Sequence, residues 1–247
     1  MKILGIVVAR RGSERLPGKV LRELAGEPML LKVLARASHS TRLNDLVVAL
    51  PDNKADDSIE SLCLSSGYYC FRGSEYDLLD RVYRTAIAYG ADIIVPLRAS
   101  CPLIDGQLVD QVVEKLLDSK DADWCTNRLP KHSYPQGLEV DAIRIETLRK
   151  AWHEDSHPGS RQHLESFLIR RVDLFNTASV SHTQDLSHVP WQVLTLPDLD
   201  RVRAIFERLG VNSFSWHEAL AVWETIANDF SPAEPIPNSY WHSRESS

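Results

Sequence analysis

Apolar residues fall along the first half of the chain in two alternating rhythms: short continuous runs, and longer stretches in which they return every three or four positions. Residues 3–9, 46–50, 68–71 and 93–97 are runs of the kind that form strands buried on both faces. Residues 28–38 (Met29, Leu30, Val33, Leu34, Ala37), 57–66, 77–89 and 108–117 carry helical spacing. Strand and helix in alternation predict a three-layer α/β fold, a mainly parallel sheet with helices on both faces and ligands at the carboxyl ends of the strands. After Lys120 the rhythm changes. Residues 122–126 and 138–143 read as strands around a long polar loop, 129–137, of the kind that bears substrate contacts. Helices are expected at 145–153, 161–171, 198–210 and 216–228, the last with Leu220, Val222, Trp223 and Ile226 as core or subunit-contact surface. No linker rich in Gly, Ser or Pro precedes Ser231, so residues 1–230 are expected to form one domain and residues 231–247 a loosely ordered tail.

Chemistry concentrates where the first strand ends, in the string ARRGSERLPGK from Ala9 to Lys19. Arg10, Arg11, Arg15 and Lys19 crowd around Gly12, Ser13 and Gly18, and cations beside free backbone N–H groups attract a polyphosphate. The spacing is not that of a Walker loop: Gly12 and Gly18 enclose five residues, and Val20 rather than Ser or Thr follows Lys19. A dinucleotide fingerprint fails as well, because no third glycine opens the helix and Pro17 interrupts the turn. From residue types alone, a solvated basic loop stands as the alternative.

The formal charge of −6 makes this basic loop a local feature and argues against general nucleic-acid binding, so the expected partner is small and anionic. Cys63, Cys70, Cys101 and Cys125 show no CxxC pairing, and the first residues lack an apolar targeting core, which points to a reducing cytoplasm without a membrane span. His153, Glu154 and His157 spell HExxH. That zinc motif needs one continuous helix, and Pro158 with Gly159 reads as a break directly after the second histidine.

The loop resembles the nucleotide-binding signature ARxxSxRLPGK of the CTP-dependent sugar cytidylyltransferases, the spore coat polysaccharide group and its ketodeoxyoctulosonate and acylneuraminate relatives. Ala9, Arg10, Ser13, Arg15, Leu16, Pro17, Gly18 and Lys19 carry the likeness. It continues in order through Leu24, Gly26, Pro28, Met29 and Leu30, then FRGSEYDLLDR (Phe71 to Arg81) and RASCPLID (Arg98 to Asp105). Asp123, Thr126 and Asn127, YPQGLEVD (Tyr134 to Asp141), RQHL (Arg161 to Leu164) and PDLDRVRAIF (Pro197 to Phe206) complete it.

The resemblance implies a nucleotide-diphospho-sugar transferase-like, Rossmann-like fold, commonly dimeric, that moves CMP from CTP to a sugar or sugar-acid acceptor with magnesium as cofactor. Lys19 and Arg15 would act on the β- and γ-phosphates, and Ala9, Arg10, Gly12 and Ser13 would contact phosphates or ribose. Arg72, Gly73 and Arg81 would border the cytosine, with Arg98 and Ser100 also facing the nucleotide; pairing of Arg81 with Asp77 on the helix surface is the alternative. Tyr134, Gln136, Glu139, Arg161 and His163 would meet the acceptor. The chain departs from the family at its two magnesium-binding aspartates, where Ser100 and Leu194 stand. Three readings remain open: another acid such as Asp105, Glu139 or Asp141 assists a metal carried by the triphosphate, Arg98 replaces the cation's charge, or the chain binds nucleotide without transferring it. Asp198 and Asp200 are expected to cap a helix rather than hold metal.

Overall fold

Residues Ile3–Val8 form the first strand, β1, in which Ile3 and Val7 are buried in the apolar core on one side of the sheet and Leu4 and Ile6 in a second core on the other. This period-two division is what places helices on both faces. The computed structural model describes residues 1–210 and 213–230. After β1 come a hairpin of β2 (Glu23–Leu24) and β3 (Glu27–Pro28), helix α1 (Met29–Ala37), β4 (Asp45–Pro51), α2 (Asp57–Ser65), β5 (Tyr69–Gly73) and α3 (Leu78–Ala88). They are followed by β6 (Ile93–Arg98), α4 (Gly106–Asp118), β7 (Trp124–Thr126), β8 (Asp141–Arg144), α5 (Ile145–Glu154), α6 (Ser166–Arg170), β9 (Thr177–Ser179), α7 (Leu196–Leu209) and α8 (Trp216–Ile226).

The main sheet has seven strands in the order β5-β4-β1-β6-β8-β7-β9. Strand β8 runs antiparallel to both its neighbours, β6 and β7, and the other ladders are parallel. The carboxyl ends of β1, β6 and β7 and the amino end of β8 therefore lie along one edge. One core holds Leu30 and Leu34 of α1, Val109 and Val112 of α4, and Val202 and Phe206 of α7. The other holds Leu79 and Val82 of α3, Leu148 of α5 and Phe167 of α6.

The three-layer, mainly parallel architecture is the one the apolar rhythm predicts, and four differences have physical causes. The basic loop does not run directly into α1: a single 3-10 turn at Lys19–Leu21 and the β2–β3 hairpin intervene. Those two-residue strands are too short to leave a periodic signal, as is β9. The strand expected at 138–143 pairs only as Asp141–Arg144, because Leu138 O and Val140 N are taken up by the side chain of buried Asn127 at 2.7 and 2.9 Å. The helix expected at 161–171 is broken into a 3-10 turn, Ser160–Gln162, and the short α6, with His163 extended between them. Leu220, Val222 and Trp223 of α8 are half-buried and Ile226 is buried. The tail at 231–247 lies outside the described residues.

Helix α4 approaches the end of α1 so closely that a Cβ on Gly106 would sit 2.5 Å from the backbone nitrogen of Ser40 and 2.7 Å from the carbonyl carbon of His39. These are backbone atoms that cannot swing aside. Gly106→Ala is expected to lower stability by at least about 1–3 kcal/mol in urea unfolding, as overpacking does; an unchanged midpoint would contradict the close approach.

Candidate active site

The loop after β1 is shaped by its glycines and by hydrogen bonds back onto itself. Gly18 takes a left-handed conformation at φ 67°, ψ 16°, its N–H donates to Arg11 O at 3.0 Å, and Lys19 N donates to Leu16 O at 3.2 Å. Arg11 N donates to Asp56 Oδ1 at 2.6 Å, which ties the loop to the start of α2, while buried Leu16 plugs it into the core. Gly12 faces open space, so the main chain there is accessible from the pocket side.

The loop forms one wall of a cavity of about 380 Å³ at the strand-end edge, of a size suited to a small-molecule ligand. Arg10, Gly12, Ser13, Arg15 and Lys19 line it together with Ala9, and β6 contributes Arg98 and, just beyond it, Ser100. Arg81 enters from α3, Asp141 from the start of β8, and His163 from the extended break before α6. Arg10 and Arg15 are exposed at the rim and Lys19 is half-buried. The Lys19 ammonium donates to Val193 O at 2.9 Å, and burial, helped by Arg15 and Arg10, lowers its pKa to about 8 despite the opposing fields of Cys101 and Asp198.

Arg81 is buried and donates to Ser74 O at 2.6 Å, while burial and the charge of Arg10 lower its pKa to about 10. Its expected rival partner, Asp77, is otherwise engaged: Oδ1 caps α3 at Asp80 N (2.8 Å) and Oδ2 accepts from Arg161 Nε at 2.7 Å. Gly73 makes the space for this arginine, since a Cβ there would lie 3.0 Å from Arg81 Cγ.

The floor is a buried ion network absent from the motif reading. Glu165 Oε1 accepts from Arg98 NH2 and, at 3.1 Å, from Arg128 NH1, and Arg128 NH2 donates to Asp141 Oδ2 at 2.8 Å. Burial acts to raise the pKa of Glu165, but Arg98 and Arg128 more than offset it and hold the carboxyl at about 2. Burial also raises Asp141, against the pull of Arg128, and lowers His163. Arg128 and Glu165 line the cavity. The strand-end rule could have found Arg128, two residues past β7. Glu165 left no comparable signal, because a continuous helix was expected there.

Other expected site residues lie away from the cavity. Arg72 on the edge strand β5 is paired with Asp57 at 2.8 Å, Glu60 at 2.6 Å and Asp52 at 3.5 Å. Arg161 clips Asp77 and the carbonyls of Trp152 (2.9 Å) and Asp155 (2.7 Å). Tyr134 is buried against Trp216 at a ring distance of 5.7 Å, and Gln136 Nε2 donates to Ser187 O at 2.9 Å. Both oxygens of Glu139 accept from Gly137 N at 3.0 Å. Helix α5 ends at Glu154, so His157 of the HExxH string lies in the following loop, its ring accepting from Ser160 N at 3.3 Å.

The donor set does not fit a magnesium ion held by the protein. Among the described residues no group of three or more His, Cys, Asp or Glu side chains could hold a metal. Asp105 is spent as a helix cap, accepting from Gln107 N at 2.9 Å and Leu108 N at 3.0 Å through Oδ1 and from Trp216 N at 2.9 Å through Oδ2. Asp141 gives Oδ2 to Arg128, and its buried Oδ1, without a hydrogen-bond partner, is one carboxylate oxygen where a magnesium ion seeks several. Asp198 accepts from Leu194 N (3.0 Å) and Thr195 N (2.8 Å) and pairs with Arg201, while Asp200 pairs with Arg203 at 2.5 Å. Burial pushes the Cys101 thiol up to about 12, which keeps it protonated and a poor ligand.

The fold is the Rossmann-like α/β fold of the nucleotidyltransferases. The sequence profile described as Cytidylyltransferase matches residues 4–175, and the chain belongs to that family. The Spore coat polysaccharide biosynthesis protein SpsF of Bacillus subtilis is 29% identical over 220 residues, 84% of this chain and 88% of that protein. The 3-deoxy-manno-octulosonate cytidylyltransferase of Trichlorobacter lovleyi is 33% identical over 241 residues, covering 86% and 94%. A solved cytidylyltransferase from Leptospira borgpetersenii serovar Hardjo-bovis matches with a TM-score of 0.90 at 25% identity, over 96% of this chain and 99% of that one.

The low pKa of Lys19 gives a pH signature. Its ammonium form, which attracts phosphate, is full well below pH 8, half lost at about pH 8 and gone well above it. Affinity for CTP in calorimetric titration is expected to fall as pH rises through 8. Lys19→Arg, with a guanidinium that stays charged, should flatten the profile; an equally steep fall in the variant would remove Lys19 as the titrating group.

Proposed function

We propose that the chain is a cytidylyltransferase that moves CMP from CTP to a sugar or sugar-acid acceptor, releasing pyrophosphate, in the synthesis of a surface polysaccharide. The observation that carries this reading is the convergence of Arg10, Arg15 and Lys19 from one glycine loop on a cavity that also receives Arg81 and Arg98. The family membership and the names of the SpsF and octulosonate relatives support the reaction and the acceptor class.

An acceptor oxygen attacks the α-phosphorus, and the bond from that phosphorus to the oxygen bridging to the β-phosphate breaks. Negative charge develops on the departing pyrophosphate. Lys19 and Arg15 meet that charge, and a cation held in a partly desolvated place, as Lys19 is, stabilises it more than water does. Arg10 and Ser13 are proposed to hold phosphate or ribose, and Arg81 to border the cytosine. His163 is the expected acceptor residue that lines the cavity, and it is proposed to contact the acceptor.

The chain is further proposed to act as a homodimer in a reducing cytoplasm. Its four cysteines are free thiols, and Leu220, Val222 and Trp223 of α8 offer a half-buried apolar face. Light scattering on a sizing column tests the dimer, and a monomer at all concentrations would refute it.

The test of activity is pyrophosphate release from CTP with candidate sugar acids. Lys19→Ala and Arg15→Ala should each lower kcat/KM by roughly a hundredfold or more, the cost typical of a lost charge-stabilising group. Unchanged turnover in both would sink the site assignment. The neutral side chains of Ser100 and Leu194 at the cavity favour one second reading, a nucleotide-binding homologue without transfer activity. That protein would bind CTP and release no pyrophosphate with any acceptor.

A further inference from the structure

The part of the cavity next to Lys19 is built from two backbone segments fastened together. Val193 N donates to Ser100 O at 2.8 Å, Gln192 Nε2 donates to Ser100 Oγ at 3.2 Å, and Lys19 Nζ donates to Val193 O at 2.9 Å. The side chains presented to the cavity here are the Ser100 hydroxyl and the alkyl chain of Leu194. Neither brings negative charge, and a hydroxyl and an alkyl group make a poor seat for a hard divalent cation, which seeks carboxylate and water oxygens.

Carboxylates elsewhere on the cavity wall do not make up the deficit. Glu165 is claimed by Arg98 and Arg128, and Asp141 gives Oδ2 to Arg128, which leaves its buried Oδ1 as a single carboxylate oxygen, short of the set of oxygens that a divalent ion takes. Glu14 and Glu75 are exposed at the rim. Arg98 shares its charge with Glu165, which orients it from beneath, and stands as a permanent guanidinium at the end of the strand that leads into Ser100. A guanidinium so held offers phosphate planar donors at constant charge, and bringing a divalent ion close to it and to Lys19 is electrostatically unfavourable.

We propose that this cavity binds its nucleoside triphosphate without a divalent ion held by the protein, the phosphate charge being met by Arg15, Lys19 and Arg98. The inference rests on the triphosphate reading of the preceding subsection. Arg98 does the work that carboxylate-bound magnesium does elsewhere, and Glu165 is its positioning residue.

Calorimetric titration of the wild-type chain with CTP, once with magnesium and once with a chelator, tests this directly and depends on no variant folding. The dissociation constant is expected to change by less than about threefold between the two conditions, well under the tenfold step that one strong interaction supplies. A loss of about tenfold or more with chelator would overturn the proposal. No binding in either condition would remove the triphosphate reading itself, and so separates that failure from failure of the metal inference. Arg98→Met should weaken chelator-condition binding by about tenfold or more while Arg98→Lys retains part of it, and unchanged affinity in a folded Arg98→Met variant would contradict the role given to Arg98. Ser100→Asp with Leu194→Asp should make CTP binding magnesium-dependent, because it supplies the two carboxylates the cavity lacks. A folded double variant indifferent to magnesium would show that these positions do not decide metal use and would overturn the proposal.

Discussion

The site depends on the buried pairing of Glu165 with Arg98 and Arg128. Removing three charged groups from water is costly, and such a cluster persists only when its members satisfy one another. Here the balance is visible in Glu165, whose carboxyl stays at about 2 although burial alone would raise it. Arg98 ends β6, Arg128 follows β7, Asp141 opens β8 and Glu165 precedes α6. One ion network thus fastens segments far apart in sequence into a single cavity floor.

That constraint also accounts for the local irregularity around it. A continuous helix through residues 161–171 would carry Glu165 on its regular surface. Instead the chain is extended at His163 and turns Leu164 and Glu165 inward before α6 begins. Asp155, buried 15 residues before Arg170, secures the other side of the break by accepting from Ser160 Oγ and from Arg170 at 3.2 Å. Above this floor the glycine loop needs only Gly18 in its left-handed conformation and Leu16 in the core to bring Lys19 to Val193. Cations dominate the inner wall because its buried acids are engaged with arginines, while Glu14 and Glu75 stand exposed at the rim.

Much of this was legible in the chain. Runs such as Ile3 to Val8 and Ile93 to Leu97 are short, apolar throughout and rich in β-branched residues, which suits a central parallel strand, so the sheet and its helices followed from the pattern. The loop residues Arg10 to Lys19 followed from their position at a strand end. What escaped was set by tertiary contact. Arg72 looks like a ligand-facing arginine in its motif, yet three carboxylates from the turn before α2 and from α2 itself hold it at the sheet edge. Asp105 has the chemistry of a metal ligand but caps α4 and tethers α8 instead. Glu165 could not be singled out, because nothing local marks a glutamate that will be buried between two distant arginines.

Whether the loop cations grip a triphosphate is read from a thermal-shift comparison of CTP with CMP, alongside the other ribonucleoside triphosphates. Ligand at about a hundred times its dissociation constant stabilises by roughly 2.7 kcal/mol, a shift of a few degrees for a chain of this size. A clear shift is expected with CTP, a much smaller one with CMP and weaker ones with the other bases. Equal shifts with CTP and CMP, or none with any nucleotide, would contradict a grip on the triphosphate.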